Sequence, residues 1–169
     1  MVIILMGVSG SGKTTVGRLL SEDLGWKFYE GDDFQPSANV EKMRRGIPLD
    51  NDDRRPWLEL LRELIRNCLE RGDSAVLACS ALKKSYREFL RIEDKVVFIY
   101  LKGDYEVIQK RLRERLGHFM NPDLLDSQFE ALEEPRAAMC IDVSANPREI
   151  VDSIKSRLRL QGRRSKNRI

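Results

Sequence analysis

Residues 7–14 of this 169-residue chain read Gly-Val-Ser-Gly-Ser-Gly-Lys-Thr. Gly7, Gly12, Lys13 and Thr14 stand at the spacing of a phosphate-binding loop. Glycines there let successive backbone N–H groups turn inward around a polyphosphate. The charge of Lys13 then meets the β- and γ-phosphates of a nucleoside triphosphate such as ATP, and the Thr14 hydroxyl takes its Mg²⁺. Gly7, Ser9, Gly10, Ser11, Gly12, Lys13, Thr14 and Thr15 are therefore the candidate nucleotide contacts. Further along, Glu30, Asp32 and Asp33 form an acidic turn. One carboxylate there can accept a proton from a substrate hydroxyl while a second holds Mg²⁺ through water. Arg111 and Arg115 are four apart, on one face of a helix that enters the polar stretch 116–123. If that stretch closes as a lid, its arginines neutralise charge on a transferred phosphoryl group and closure excludes water. The single histidine, His118, either shapes that lid or touches substrate. Two more clusters suit an acceptor: Asp50-Asn51-Asp52-Asp53-Arg54-Arg55-Pro56-Trp57 and Cys79-Ser80-Ala81-Leu82-Lys83. The Arg54 guanidinium can grip a carboxylate with two parallel hydrogen bonds.

These groups need elements to carry them. The apolar run 2–6 ahead of the glycine loop reads as a strand, and 13–24, closed by Gly25, as an amphipathic helix. A short strand follows at 26–29, then the polar turn 30–33 and a short helix over 39–45. A long helix is expected from near Pro56, whose ring suits a first turn, to Gly72. Strands at 74–79, 95–101 and 138–143 alternate with helices at 83–91, 104–115, 124–132 and 147–159. Short apolar strands alternating with helices predict an α/β fold with a parallel sheet flanked by helices on both faces, three layers in all. Each chemical motif then follows a strand, on the carboxyl edge where such sheets bind ligands.

Composition narrows the class. Hydrophobic residues are 41% and charged residues 34%, as in a globular protein, with a formal net charge of only +3. No global polyanion-binding signature is present, so nucleic acid is not the expected partner. No run approaches the ~18 apolar residues of a membrane span. The apolar start has no basic flank and runs into the glycine loop, unlike a signal peptide. Cys68, Cys79 and Cys140 lack metal-ligand spacing and read as reduced thiols of a cytoplasmic protein. One kinase-like domain over 1–160 is expected, its lid near 116–128, with a basic solvated tail at 161–169. A homodimer is left open.

Taken together, the segments Gly7–Thr15, Glu30–Phe34, Asn39–Leu49, Asp52–Leu58, Cys79–Arg87, Tyr100–Gly103, Gly117–Met120 and Ser127–Pro135 resemble the gluconate kinases of the nucleoside-monophosphate-kinase-like P-loop group. The resemblance runs from about Ile3 to Leu158. It implies transfer of the ATP γ-phosphate to the 6-hydroxyl of D-gluconate, giving 6-phosphogluconate and ADP. It implies further that Asp32 is the acceptor-site carboxylate, that Glu30 lies near Mg²⁺, and that Arg54, Ser80 and Lys83 line the gluconate pocket. Arg111 and Arg115 become the lid arginines, and the loop Ser144 to Pro147 lies against adenine. Two positions depart from the family. Gln35 stands where His is usual, and cannot titrate near neutral pH. The segment between Pro135 and the last strand is several residues shorter. Other readings are a kinase of the same scaffold acting on shikimate or a nucleotide, and a nucleotide-binding regulator or RNA-associated ATPase.

Overall fold

Five strands lie side by side as one sheet in a computed structural model that describes residues 1–114 and 122–162. They are β1 (Val2–Met6), β2 (Lys27–Glu30), β3 (Ala75–Ala78), β4 (Val96–Lys102) and β5 (Met139–Asp142). The order is β2-β3-β1-β4-β5 and every pairing is parallel, with Ile4 opposite Leu77 on one side and Phe98 on the other. The central strands β1, β3 and β4 are covered on both faces and read as near-continuous apolar runs, whereas the edge strands β2 and β5 are partly exposed and carry Lys27, Glu30 and Asp142.

Alternation sorts their side chains between two layers. Ile3 and Leu5 pack with helices α1 (Lys13–Leu24), α5 (Tyr105–Glu114), α6 (Pro122–Ala131) and α7 (Pro147–Leu158), meeting Leu20, Ile108, Leu125 and Ile150. Val2, Ile4 and Met6 pack with α3 (Asn51–Glu70) and α4 (Lys84–Leu90), meeting Trp57, Leu61, Tyr86 and Leu90. Each fully buried aliphatic chain contributes about 1.5–3 kcal/mol of transfer free energy, so the sheet centre is the fixed frame of the molecule. The three-layer α/β/α expectation holds.

The topology also sets where a ligand can sit. From β1 the chain crosses past β3 to reach β2, and from β3 it crosses past β1 to reach β4. Helices α1 and α4 leave on opposite faces. A crevice therefore opens at the carboxyl ends of β1 and β3.

The element pattern departs from expectation mainly in α3, which starts at Asn51 and not near Pro56. Asp50 accepts from the Asp53 N–H at 2.8 Å, and Asp53 reciprocates to the Asp50 N–H. This capping box outcompetes the proline as the start signal and leaves Pro56 inside the second turn. The acidic turn is a one-turn 3-10 helix, Gly31–Phe34, and α2 (Ser37–Arg44) begins two residues early. Arg115, His118 and the predicted lid up to residue 121, like the tail from 163, lie outside the described residues, and the remainder of that lid, 122–128, is helical within α6.

Candidate active site

The glycine loop turns at three residues with positive φ: Gly7 at 142°, Gly10 at 80° and Gly12 at 94°. A Cβ on Gly7 would stand 2.7 Å from the Leu101 carbonyl oxygen, and one on Gly10 would press into Leu112 and Ile108 of α5. At Gly12 nothing lies within 4 Å. Helix α1 then begins with no side-chain cap and no acid in its first turn, whereas α3 and α7 both carry capping boxes. Its first N–H groups and the positive end of its dipole are thus left for an anion. Beneath the loop, Ser11 is buried with its hydroxyl unpartnered.

Lys13 folds over the loop, its Nζ donating to the Gly7 and Val8 carbonyls at 3.0 and 2.9 Å. Thr14 Oγ1 donates to Glu30 Oε2 at 2.7 Å, joining the end of β2 to the start of α1. Thr15, next along, is exposed. Burial pushes the Glu30 carboxyl above the ordinary range, and repulsion from Asp32 and Asp33 adds to it. The Thr14 hydrogen bond and Lys13 pull the other way. Asp32 and Asp33 are exposed on the one-turn helix beside it. Their turn is pinned from behind: Trp57 Nε1 of α3 donates to the Gly31 carbonyl at 2.7 Å, and Gly31 packs so tightly that a Cβ there would fall 2.6 Å from the Ala78 oxygen. Cys79 sits under this turn with its thiol pushed up to about 12 by burial, so it stays neutral and packs as an apolar group.

The residues expected to take the acceptor come from motifs far apart in sequence. Asn51 Oδ1 at the start of α3 accepts from Lys83 Nζ at 2.9 Å and from the Tyr86 hydroxyl at 2.8 Å. Arg54, one turn on, donates to the Leu49 carbonyl. Ser80 is half-buried, and its carbonyl accepts from the Gly7 N–H at 3.2 Å, tying the two loops together. Between Ser80 and Lys83, Ala81 is held at φ 41°, a region costly for a residue with a Cβ. What holds it is Arg87. Its Nη1 donates to the Ala81 and Leu82 carbonyls at 3.0 and 2.7 Å, and its Nη2 to the Glu133 carbonyl at 2.7 Å. Glu133 completes the brace by donating its N–H to the Leu82 carbonyl and accepting from the Lys84 N–H. A groove of about 660 Å³ lies on the outer side of this brace, lined by Arg87, Arg91, Phe98 and Arg136 among others. It lacks both the glycine loop and the acidic turn, so the chemistry is not there.

On the nucleotide side, Arg111 donates to the Val143 carbonyl. It is fastened to the end of β5 in this structure. Pro147 is the first residue of α7, capped by Asn146, whose side chain accepts from Glu149 N–H at 3.1 Å. Gln35 accepts from Asn39 Nδ2 at 3.0 Å, and the same buried amide donates to the Asp53 carbonyl, stitching α2 to α3. The residue reading of single motifs missed the supporting roles of Trp57, Arg87, Glu133 and Gln128. No spacing rule reaches them: Trp57, Glu133 and Gln128 act on residues of other elements, and Arg87 joins the nearby Ala81 and Leu82 carbonyls to the distant one of Glu133.

A phosphate loop with an acidic turn at its side, on a doubly wound parallel sheet, defines an ATP-dependent P-loop kinase. The shikimate kinase family model matches residues 9–159. The chain is 43% identical to a probable gluconokinase of Xenopus tropicalis over 92% of each chain. It is 50% identical to the thermosensitive gluconokinase of Escherichia coli (strain K12), over 79% of this chain and 72% of that one. Its structure matches a crystal structure of a gluconokinase from Sinorhizobium meliloti 1021 with a TM-score of 0.83 and 42% identity, covering 92% and 91% of the two chains. The chain belongs to the gluconokinase family.

Proposed function

We propose that this chain catalyses transfer of the ATP γ-phosphoryl group to the 6-hydroxyl of D-gluconate, giving 6-phosphogluconate and ADP. The observation that carries the reading is the 2.7 Å hydrogen bond from Thr14 to Glu30, which brings the nucleotide loop against the acceptor turn. The cradle suits MgATP: three glycines at positive φ and an uncapped helix start both favour a polyphosphate. Gly7, Ser9, Gly10, Ser11, Gly12 and Thr15 shape the loop. Lys13 leaves the Gly7 and Val8 carbonyls to meet the β- and γ-phosphates, and the Ser144–Pro147 loop receives adenine. Thr14, and Glu30 through water, would hold Mg²⁺, which would supply charge neutralisation for the phosphates.

Asp32 orients the 6-hydroxyl and takes its proton as the bond from phosphorus to the ADP oxygen breaks and the bond to O6 forms. Arg54, Ser80 and Lys83 hold the acceptor, with the guanidinium and ammonium matched to its carboxylate. Arg111, Arg115 and His118 belong to the closing side, where cations stabilise the transferring phosphoryl group and gluconate is covered. On this reading residues 1–160 work as one domain, in the cytoplasm.

The test is ADP release from MgATP against gluconate, other aldonates, shikimate, AMP and no acceptor. Stimulation by gluconate with 6-phosphogluconate as product is the expected result. Turnover with shikimate or AMP instead would discard the substrate and keep the kinase.

A further inference from the structure

The phosphate loop is held from outside by a residue that the catalytic reading does not use. Gln128 lies on α6, one turn beyond Leu125, whose buried side chain anchors that helix in the core. Its Oε1 accepts from the Ser9 N–H at 2.6 Å, while its Nε2 lies 3.4 Å from Ser9 Oγ in donating geometry. One carboxamide therefore spans both the backbone and the side chain of a single loop residue. The next residue, Gly10, is so close to Ile108 and Leu112 of α5 that a Cβ would stand 2.9 Å from Leu112 Cγ. The outer rim of the loop is thus gripped at two consecutive residues by two helices. Those helices are themselves fastened: the Tyr105 hydroxyl donates to Asp126, and the Tyr105 and Phe129 rings sit 5.4 Å apart.

We propose that Gln128 is a positioning residue for the nucleotide. It fixes the Ser9 peptide so that the N–H groups after it stay directed into the cradle, and it couples the α5–α6 pair to the phosphates. In this structure the Ser9 N–H is taken by Gln128, which leaves the N–H groups that follow it, up to the uncapped start of α1, for the phosphates. Preorganised loop donors bind phosphate without reorganisation, whereas a loop whose rim peptide can rotate has to be ordered by the ligand.

The experiment is calorimetric titration of a non-hydrolysable ATP analogue with Mg²⁺ into the wild-type chain and the Gln128→Met variant, without acceptor. Methionine keeps the length and bulk of glutamine and removes both polar atoms. The expected result is a Kd raised roughly five- to tenfold, the scale of one net hydrogen bond. The KM for gluconate should stay within about twofold. Tyr105→Phe is the control, because it cuts a hydrogen bond in the same helix pair without touching the loop. It should lower Tm and leave the nucleotide Kd alone.

An unchanged Kd in Gln128→Met overturns the proposal, and so does a fall in Tm with no change in Kd. A tighter Kd overturns it too, because Gln128 would then be competing with the nucleotide for Ser9. If Gln128→Met does not fold, Gln128→Ala serves the same comparison. Failure of the wild-type chain to bind the analogue would strike the kinase reading itself and not the role of Gln128.

Discussion

The proposed donor and acceptor halves of this site are built from different materials. On the nucleotide side the recognising groups are backbone: three glycines at positive φ and the open start of α1, set on a strand whose residues are buried throughout. On the acceptor side they are side chains, and each is held by another from elsewhere. Trp57 pins the acidic turn, Arg87 and Glu133 brace the loop at Ala81, and Asn51 gathers Lys83 and Tyr86. A backbone cradle reads any polyphosphate, and a braced set of side chains reads one shape. Kinases sharing the first half can therefore differ in the second.

The largest effect is expected where the two halves share one group. Lys13→Ala removes the fixed charge next to the transferring phosphoryl, and turnover should fall roughly 10³-fold or more with every acceptor offered. Coupled-assay rates across the acceptor panel check this. A loss confined to gluconate would place Lys13 on the acceptor side and undo the division. Next is Asp32→Asn, which should lower kcat by roughly 10²–10⁴ while nucleotide affinity stays put. Near-normal kcat would move the base to Asp33 or dispense with one.

The same division explains what the sequence disclosed. The glycine loop, the acidic turn and the alternating strands are local patterns, so β1, α1 and the one-turn helix at Gly31–Phe34 stand where the residues announce them. The start of α3 differs from expectation because a proline is a conspicuous signal and a two-aspartate capping box is a quiet one. Arg87 and Gln128 were invisible as functional groups. Arg87 reaches 46 residues to Glu133 and Gln128 reaches 119 to Ser9, and no periodicity encodes such contacts. Gln35, noted as a departure from the family, has a place: it accepts from Asn39 and needs no proton to do so.

Arg87→Lys tests the acceptor half by itself. Lysine keeps the charge and loses the fork, so it cannot span the Ala81 and Glu133 carbonyls together and leaves one of them unpaired. A cost of ~1.4 kcal/mol in that loop corresponds to about a tenfold rise in the KM for gluconate. Affinity for the ATP analogue should not change. Equal damage to both substrates would mean that the contact from the Gly7 N–H to the Ser80 carbonyl transmits the disturbance, and that the halves are mechanically one.

The smallest expected effect lies at the seam, on Glu30. Burial, with help from Asp32 and Asp33, makes its carboxyl hold a proton more tightly in the folded chain than in the unfolded one. The folded state therefore binds more protons over the interval that starts at the ordinary glutamate value, ~4.3, and ends at the raised folded value. Stability falls as pH climbs through that interval, and the loss persists at neutral pH. Glu30→Gln keeps an oxygen for the Thr14 hydroxyl and removes the charge. Thermal unfolding should show the variant slightly more stable than wild type near neutral pH, with the gap closing in acid below ~4.3. Its Mg²⁺ requirement should rise, since a neutral amide orders the metal's water less well. A variant less stable at neutral pH would show that the Thr14 hydrogen bond to the charged carboxylate, together with attraction to Lys13, outweighs burial at the seam. The acidic turn would then be held in place by the nucleotide loop, and not merely set beside it.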